Sequence, residues 1–206
     1  MAPEADGLRR AMLALERGEL VAFPTDTVYA LACSASNPAA VARFYEAKRR
    51  PPGQPAILLS HNLDTLRHWV KFKPRAVALA KSLWPGPLTL VLPLSARALA
   101  RMTVGERSAL EAIALDGTVG VRVPDHPTAY DALWAWGMPL CTSSANRAGE
   151  EPPRTGREVA DSLGNAVAVV LDGECPLGVA SSILDLTSPK PRVLREGAIP
   201  AEELLR

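Results

Sequence analysis

Four short segments place polar or basic side chains where apolar strands or helices are expected to end. They are residues 25–27 (Thr-Asp-Thr), residues 48–50 (Lys-Arg-Arg), Arg122 inside an apolar run, and residues 142–146 (Thr-Ser-Ser-Ala-Asn). Hydroxyl groups and charges at such positions cost free energy to bury unless they have partners, and a ligand is one such partner. Cations combined with small hydroxyl residues indicate a site that binds anions, as phosphate-binding loops do.

Each segment also has a purely structural interpretation. Residues 25–27 are ordinary turn residues, and the cations at 48–50 would complement the dipole at a helix C-terminus. Arg122 is expected to point outward from an alternating strand, and Ser/Asn/Gly loops such as 142–149 are common. Taken alone, the turn and Arg122 are better explained by these structural interpretations.

Several reaction classes find no support in the sequence. No Ser–His–Asp order and no carboxylate pair stands out, which disfavours nucleophilic and glycosidase-type mechanisms. Neither a Walker pattern nor a G-x-G-x-x-G motif is present, and the three cysteines and three histidines form no metal-binding motif. Cations and hydroxyls without a nucleophile suit phosphoryl or nucleotidyl transfer, where positioning and charge neutralisation supply most of the catalysis.

The composition is that of an ordinary globular protein. The 206 residues are 48% hydrophobic and 22% charged, with a net charge of +1. This balance disfavours bulk nucleic-acid binding but leaves room for a local basic cleft. No apolar run approaches the roughly 18 residues that span a bilayer, and the N-terminus has no signal-peptide core. We therefore expect a cytoplasmic protein without a membrane partner.

Strands and helices alternate along most of the chain, which favours an α/β sheet covered by helices. Helices are predicted at residues 3–17, 38–48, 62–69, 74–83, 128–136, 155–163 and 200–205. Strands are predicted at residues 20–23, 56–59, 88–92, 118–124, 166–171, 181–186 and 192–194, and in 139–146, where the strand opens into a polar loop.

The connections add detail to this prediction. Asn37 is expected to be an N-cap, with Pro38 at the first helical position. Residues 95–115 are open to two interpretations, a mobile flap or a short helical pair. Proline-rich connections and short late strands indicate a mixed sheet, and no linker or repeat divides residues 1–206, so we predict a single domain.

Six motifs follow one another between residues 20 and 199: FPTDTVYALA, AKRRPPGQP, LWPGPLTLVL, VGVRVPDHP, TSSANRAGEEP, and SSILDLT followed by VLREGAI. In this combination the chain resembles the YrdC-like family, the threonylcarbamoyl-AMP synthases, in its short single-domain form. The resemblance implies an α/β fold with a twisted, mostly mixed sheet flanked by helices and a concave basic cleft. The additional C-terminal domain of longer members is expected to be absent.

The resemblance also implies a reaction. L-threonine, bicarbonate and ATP would give threonylcarbamoyl-AMP and pyrophosphate, with Mg²⁺ accompanying ATP and no metal held by the protein itself. The product would pass to downstream tRNA-modification proteins that form threonylcarbamoyladenosine, and weak RNA binding is a further expected interaction. The alternative is a non-catalytic RNA- or nucleotide-binding module of the same fold, which the near-neutral charge slightly disfavours.

Individual residues take their expected roles from the matching motifs. Lys48 and Arg50, the K-x-R pair, would be catalytic groups that face bicarbonate and the ATP phosphates. The threonine side would be formed by Thr27, Arg122, Ser144 and Ser181. The ATP side would be formed by Lys48, Arg50, Gln54, Thr118, Thr142, Asn146 and Arg195. Arg122 would hold the threonine carboxylate, because a guanidinium binds carboxylates bidentately.

Five positions depart from the family pattern. Ala30 stands where glycine is usual, Gln54 where asparagine is frequent, Leu59 where some members carry histidine, Pro152 where serine is frequent, and Ser182 where threonine is usual. Ala30 would crowd the backbone if the glycine serves a close approach. Altered activity or an altered substrate is therefore left open at these positions.

Overall fold

The computed structural model describes residues 3–51 and 53–205. The strands are Val21–Phe23 (β1), Ala30–Ser34 (β2), Ile57–Leu59 (β3), Leu88–Pro93 (β4), Thr118–Arg122 (β5), Leu140–Ser144 (β6), Val169–Val170 (β7), Ser182–Asp185 (β8) and Arg192–Arg195 (β9). The helices are Pro3–Glu16 (α1), Pro38–Ala47 (α2), Leu63–Arg67 (α3), Pro74–Leu83 (α4), Ala96–Leu99 (α5), Val104–Ile113 (α6), Pro127–Trp136 (α7), Gly156–Leu163 (α8) and Ala201–Leu205 (α9).

The strands of the described residues form one sheet in the order β7-β1-β2-β6-β3-β5-β4-β8-β9. The pairs β1/β7, β3/β5 and β4/β8 are parallel, and the other neighbours are antiparallel. This confirms the predicted mixed α/β sheet. Because β6 inserts between β2 and β3, the polar residues that end β6 lie between two segments from the first third of the chain.

Two hydrophobic cores, one on each face, hold the helices against the sheet. Leu58 packs in the larger core together with Phe44 of α2 and Leu110 of α6. Its neighbour Leu59 packs in the smaller core with Leu133 of α7. Successive residues of a strand point to opposite faces, so the apolar run of β3 supplies both cores at once, and none of these side chains is more than 3% exposed.

Residues 95–115 form two short helices, α5 and α6, which confirms the helical-pair interpretation. The second helix begins with a capping box. The Thr103 hydroxyl accepts a hydrogen bond from the Glu106 backbone N–H at 3.3 Å, and the Glu106 carboxylate accepts one from the Thr103 N–H at 2.8 Å.

One predicted strand is much shorter than expected. Residues 166–171 were predicted as a strand, but β7 comprises only Val169–Val170, where it pairs with Val21 and Ala22 of β1. A 3₁₀ turn occupies Gly164–Ala166 instead, because Gly164, with a φ of 53°, ends helix α8. Other element ends differ from the prediction by a few residues, as expected for boundaries read from local patterns.

Pro52, part of the predicted constrained loop, lies outside the described residues. Within the described part of the chain, each helix is too short or too polar to cross a lipid bilayer.

Asn37 caps helix α2, as predicted. Its Oδ1 accepts hydrogen bonds from the backbone N–H groups of Ala39 at 3.0 Å and Ala40 at 3.1 Å, and Pro38 occupies the first helical position. The side chain therefore satisfies N–H groups that have no partner inside the helix.

We expect Asn37→Ala to lower the free energy of unfolding by about 1 kcal/mol, the usual cost of losing an N-cap side chain. Urea denaturation followed by circular dichroism would measure the change. Asn165→Ala is the matched control, because Asn165 is exposed, and its effect should stay within about 0.5 kcal/mol. Equal midpoints for the two variants would contradict this role of the cap.

Candidate active site

An open cleft with a volume of about 470 Å³ collects the residues that the motifs single out. The assigned residues that line it are Thr27, Lys48, Arg50, Gln54, Arg122, Thr142, Ser144, Asn146, Ser181 and Arg195. Thr118 is not among the residues that line the cleft. Its hydroxyl donates to the carbonyl of Leu115 at 2.8 Å, so it is engaged in the local bridge between these two residues.

The charged residues of the cleft are all cationic. Lys48, Arg50, Arg122, Arg147 and Arg195 line it, and no aspartate or glutamate is among the described residues that do so. Arg147 was not singled out from the sequence. Such a cleft concentrates anions, because its walls carry one sign of charge.

The turn between β1 and β2 contributes the first wall. Thr25 organises it: its Oγ1 accepts from the N–H groups of Thr27 at 3.2 Å and Val28 at 3.3 Å, and its hydroxyl donates to the Val28 carbonyl at 2.7 Å. The turn interpretation of residues 25–27 is therefore confirmed. The same turn also lines the cleft through Thr25 and Thr27, so the structural and functional interpretations are compatible.

Arg122 is buried at the end of β5, with 5% of its surface exposed, so the predicted outward orientation is wrong. Its Nε donates to the Gly86 carbonyl at 2.9 Å, its Nη1 donates to the Thr27 hydroxyl oxygen at 2.9 Å, and its Nη2 pairs with Asp26. Burial lowers the pKa of Arg122, and Asp26 acts in the opposite direction. A guanidinium has more N–H groups than these three contacts use, which leaves donors for a ligand.

The partners of Arg122 are themselves fixed. A Cβ added to Gly86 would lie 2.5 Å from the Leu83 carbonyl oxygen, so only glycine fits there. Asp26 also accepts from the Asp125 N–H at 3.1 Å, and its Oδ2 is buried without a partner among the described residues. No role was assigned to Asp26 from the sequence, because it lies 96 positions from Arg122 and no local pattern reports so distant a pair.

Lys48 is both the C-cap of α2 and a wall of the cleft. Its Nζ donates to the carbonyls of Ser144 at 2.5 Å and Asn146 at 2.6 Å, and its own carbonyl accepts from the Ala148 N–H at 2.9 Å. Burial lowers the pKa of Lys48 to about 8, and neighbouring Arg50 acts in the same direction. Lys48 thus ties the end of α2 to the loop that follows β6.

Arg50 shapes the loop after α2. Its Nε donates to Gln54 Oε1 at 2.6 Å, and its Nη2 donates to the Pro55 carbonyl at 3.0 Å. The two assigned residues Arg50 and Gln54 therefore act as one hydrogen-bonded unit on this side of the cleft.

Arg195 on β9 is held in a similar way by Ser181. Its Nε donates to the Ser181 carbonyl at 2.9 Å and its Nη2 to the Ser181 hydroxyl oxygen at 3.1 Å. Ser181 Oγ in turn lies 2.8 Å from the Thr89 hydroxyl oxygen, which is fully buried on β4. Thr89 lines the cleft but was missed from the sequence, because a single threonine in an apolar strand carries no signal of its own. Burial lowers the pKa of Arg195.

Asn146 and Thr142 present polar groups from β6 and its loop. The Asn146 Nδ2 donates to the carbonyls of Arg147 at 3.1 Å and Glu150 at 2.6 Å, whereas its Oδ1 is buried without a partner among the described residues. A buried acceptor without a donor costs about 1–3 kcal/mol, so a ligand N–H at this atom would be favourable. The Thr142 hydroxyl donates to the Ile57 carbonyl at 3.0 Å.

The departures from the family pattern fall into two groups. Ala30, Gln54, Leu59 and Pro152 all line the cleft. Ser182 does not: its hydroxyl donates to the Ile199 carbonyl at 2.6 Å and accepts from the Ile199 N–H at 2.9 Å, so it holds the segment after β9 against β8.

Comparison with known proteins gives consistent matches. The family model Sua5/YciO/YrdC, described as telomere recombination, matches residues 13–197. A threonylcarbamoyl-AMP synthase of Pyrococcus abyssi is 39% identical over 192 residues, which cover 92% of this chain and 54% of that protein. One of Bacillus subtilis is 38% identical over 200 residues, covering 96% and 55%. The chain therefore spans about half the length of these two relatives.

A solved structure supports the same relationship. The crystal structure of P. abyssi Sua5 complexed with L-threonine superposes with a TM-score of 0.84 at 37% identity, covering 96% of this chain and 56% of that one.

The Arg122–Asp26 ion pair gives a stability prediction. We expect Asp26→Ala to lower the free energy of unfolding by about 3–5 kcal/mol, because it leaves a buried guanidinium without its counter-charge. Asp64→Ala is the control: it breaks an ion pair with Arg67 whose aspartate side chain is 84% exposed, and its cost should be below about 1 kcal/mol. Thermal or urea unfolding of both variants measures the difference, and similar losses would contradict the assignment.

Proposed function

The chain belongs to the Sua5/YciO/YrdC family, and from that premise we propose that it is a nucleotidyltransferase that forms threonylcarbamoyl-AMP. L-threonine, bicarbonate and ATP would be its substrates, and pyrophosphate its second product. The observation that carries the proposal is the cleft itself, which is lined by five cations and by hydroxyl groups but by no carboxylate of the described residues. The name of the relatives and the threonine bound to P. abyssi Sua5 support the same reaction.

The chemistry requires no nucleophile from the protein. The threonine amine and bicarbonate condense to a carbamate and water. A carbamate oxygen then attacks the α-phosphorus of ATP, and the bond to the β,γ-diphosphate breaks to release pyrophosphate. Positioning and charge neutralisation supply most of the catalysis in such a displacement. Excluding water also matters, because the mixed anhydride hydrolyses readily.

We assign one set of cleft residues to L-threonine and another set to ATP. Arg122, with the N–H groups that its protein contacts leave free, would bind the threonine carboxylate. Thr27, Ser144 and Ser181 would complete the threonine side. The cations Lys48, Arg50 and Arg195 would offset phosphate charge, and Gln54, Thr142 and Asn146 would contact the nucleotide. Thr118 is a poorer candidate for the ATP side, because its hydroxyl is engaged by Leu115.

The described residues do not suit a resident metal ion. They contain no group of three His, Cys, Asp or Glu side chains that could hold one, and Asp26, beside the cleft, is paired with Arg122. Mg²⁺ is commonly bound through substrate phosphates and water. We therefore infer that the ion enters as part of the ATP substrate.

The product would serve the threonylcarbamoyladenosine modification of tRNA, which needs downstream proteins that accept a reactive mixed anhydride. A cytoplasmic location would suit this role. Weak RNA binding is a further proposed property, and it would depend on salt concentration if phosphate contacts carry it.

We expect pyrophosphate release from ATP to require both L-threonine and bicarbonate. Arg50→Ala should lower the rate by at least about tenfold, because a charge-assisted contact of Arg50 is worth about 1.5–3 kcal/mol. Arg75→Ala, on the exposed face of α4, should keep the wild-type rate. An assay with each substrate omitted in turn tests the proposal.

Two outcomes of that assay would reject the synthase. One is pyrophosphate release that needs neither co-substrate. The other is no release under any condition, and RNA affinity without turnover would then favour the non-catalytic binding module.

The pKa of Lys48 predicts a pH dependence of ATP binding. A group with a pKa of about 8 carries most of its charge at pH 7.5 and little of it at pH 9. We therefore expect ATP affinity, measured by calorimetry without threonine, to fall several-fold over this range. Lys48→Arg should flatten the profile, because a guanidinium stays charged. A flat wild-type profile would argue against a charged Lys48 beside the phosphates.

A further inference from the structure

The loop after α2 carries Arg50 and Gln54, which both line the cleft. Its sequence over residues 51–55 is Pro-Pro-Gly-Gln-Pro, and the three prolines have no backbone N–H to donate. Gly53, Gln54 and Pro55 are exposed, so hydrophobic packing contributes little to their position. The conformation of this loop therefore depends on hydrogen bonds that reach it from neighbouring side chains.

One residue, Tyr45 of α2, holds both ends of the loop. The chain leaves the helix through Arg49, whose φ of 48° lies in the left-handed region. This turn returns the Arg50 N–H to the Tyr45 carbonyl at 3.0 Å. At the other end of the loop, the Tyr45 hydroxyl donates to the Gln54 carbonyl at 2.6 Å. Arg50 and Gln54 are thus both bonded to Tyr45.

The hydroxyl of Tyr45 is itself held firmly in place. The residue is 5% exposed, and its ring packs in the larger core, edge-on to Phe44 with 5.5 Å between the ring centroids. The hydroxyl oxygen also lies 3.2 Å from the Ala112 carbonyl of α6. Carbonyls can only accept, so the hydroxyl is the donor to both. Burial raises the pKa of Tyr45 to about 12, so the hydroxyl keeps its proton at neutral pH.

We propose that Tyr45 is a positioning residue, whose hydroxyl holds the loop of residues 50–55 so that Arg50 and Gln54 face ATP. Tyr45 is not among the described residues that line the cleft, so it acts through that pair and does not touch the substrate. The inference rests on the proposed function, since it extends the assignment of the ATP side.

Calorimetric titration of ATP and of L-threonine into the full chain tests the proposal. Tyr45→Phe removes the hydroxyl and keeps the ring in the core, so the loop adopts its binding-competent conformation for a smaller fraction of the time. The Kd rises as that fraction falls. We expect the Kd for ATP to rise by about three- to tenfold, the value of one hydrogen bond.

The Kd of Tyr45→Phe for L-threonine should stay at the wild-type value. Arg122 and Thr27 bond to each other on the other wall of the cleft, so the threonine side does not depend on the loop. Unchanged threonine affinity also shows that the variant is folded. Tyr130→Phe is the matched control, because Tyr130 is 49% exposed on α7, and it should bind both ligands as the wild type does.

A mutant cycle shows whether Tyr45 acts through the residues of the loop. In a chain that carries both Arg50→Ala and Gln54→Ala, the side chains that Tyr45 positions are absent. Adding Tyr45→Phe to that chain should therefore cost no further ATP affinity. Independent, multiplicative losses would overturn the proposal.

The remaining outcomes separate this proposal from the proposed function. Wild-type ATP affinity in Tyr45→Phe, or an equal loss of affinity for ATP and L-threonine, would overturn the positioning role alone. A wild-type chain that binds both ligands but releases no pyrophosphate would reject the synthase, and a selective loss of ATP affinity in Tyr45→Phe would still support the positioning role. A wild-type chain that binds no ATP would overturn both.

Discussion

Bringing several cations together in one cleft costs free energy, and in this protein hydrogen bonds to backbone carbonyls offset part of that cost. Lys48 donates to two carbonyls, and Arg50 and Arg195 each donate to one. Carbonyl dipoles solvate a cation without cancelling its charge, whereas a carboxylate would neutralise it. Among the described residues, Arg122 is the one of these four cations that pairs with a carboxylate, that of Asp26. The charge of the other three cations is therefore not neutralised by a carboxylate of the described residues.

The order of the strands in the sheet is what brings these cations into one cleft. With β6 between β2 and β3, the loop after β6 comes within reach of Lys48 at the end of α2. The same order aligns Ala30 with Ser144 and Leu59 with Arg122. A one-residue slip in either pairing would turn these side chains to the opposite face, so the hydrophobic strand pattern that fixes the core also fixes the cleft.

Local features of the fold could be predicted from the sequence, and long-range ones could not. The Asn37 cap and the mixed sheet follow from capping chemistry and hydrophobic periodicity, which act over a few residues. The burial of Arg122 contradicts its strand pattern, because its ion pair forms with a residue 96 positions away. Thr89 was not predicted as a cleft residue for the same reason, since its hydrogen-bond partner Ser181 is 92 positions away. The other cleft residues were assigned to one site from the ordered motifs and not from local periodicity.

The position of Arg195 on β9 has a consequence for synthesis of the protein. Its guanidinium and Ser181 supply one side of the cleft, yet both leave the ribosome long after Thr27 and Lys48. Domains tend to fold as units during translation, and this nascent chain lacks a complete cleft until β9 has emerged. The cleft therefore has both of its walls only after Arg195 has been translated, so products truncated before β9 would carry the earlier motifs without a complete cleft.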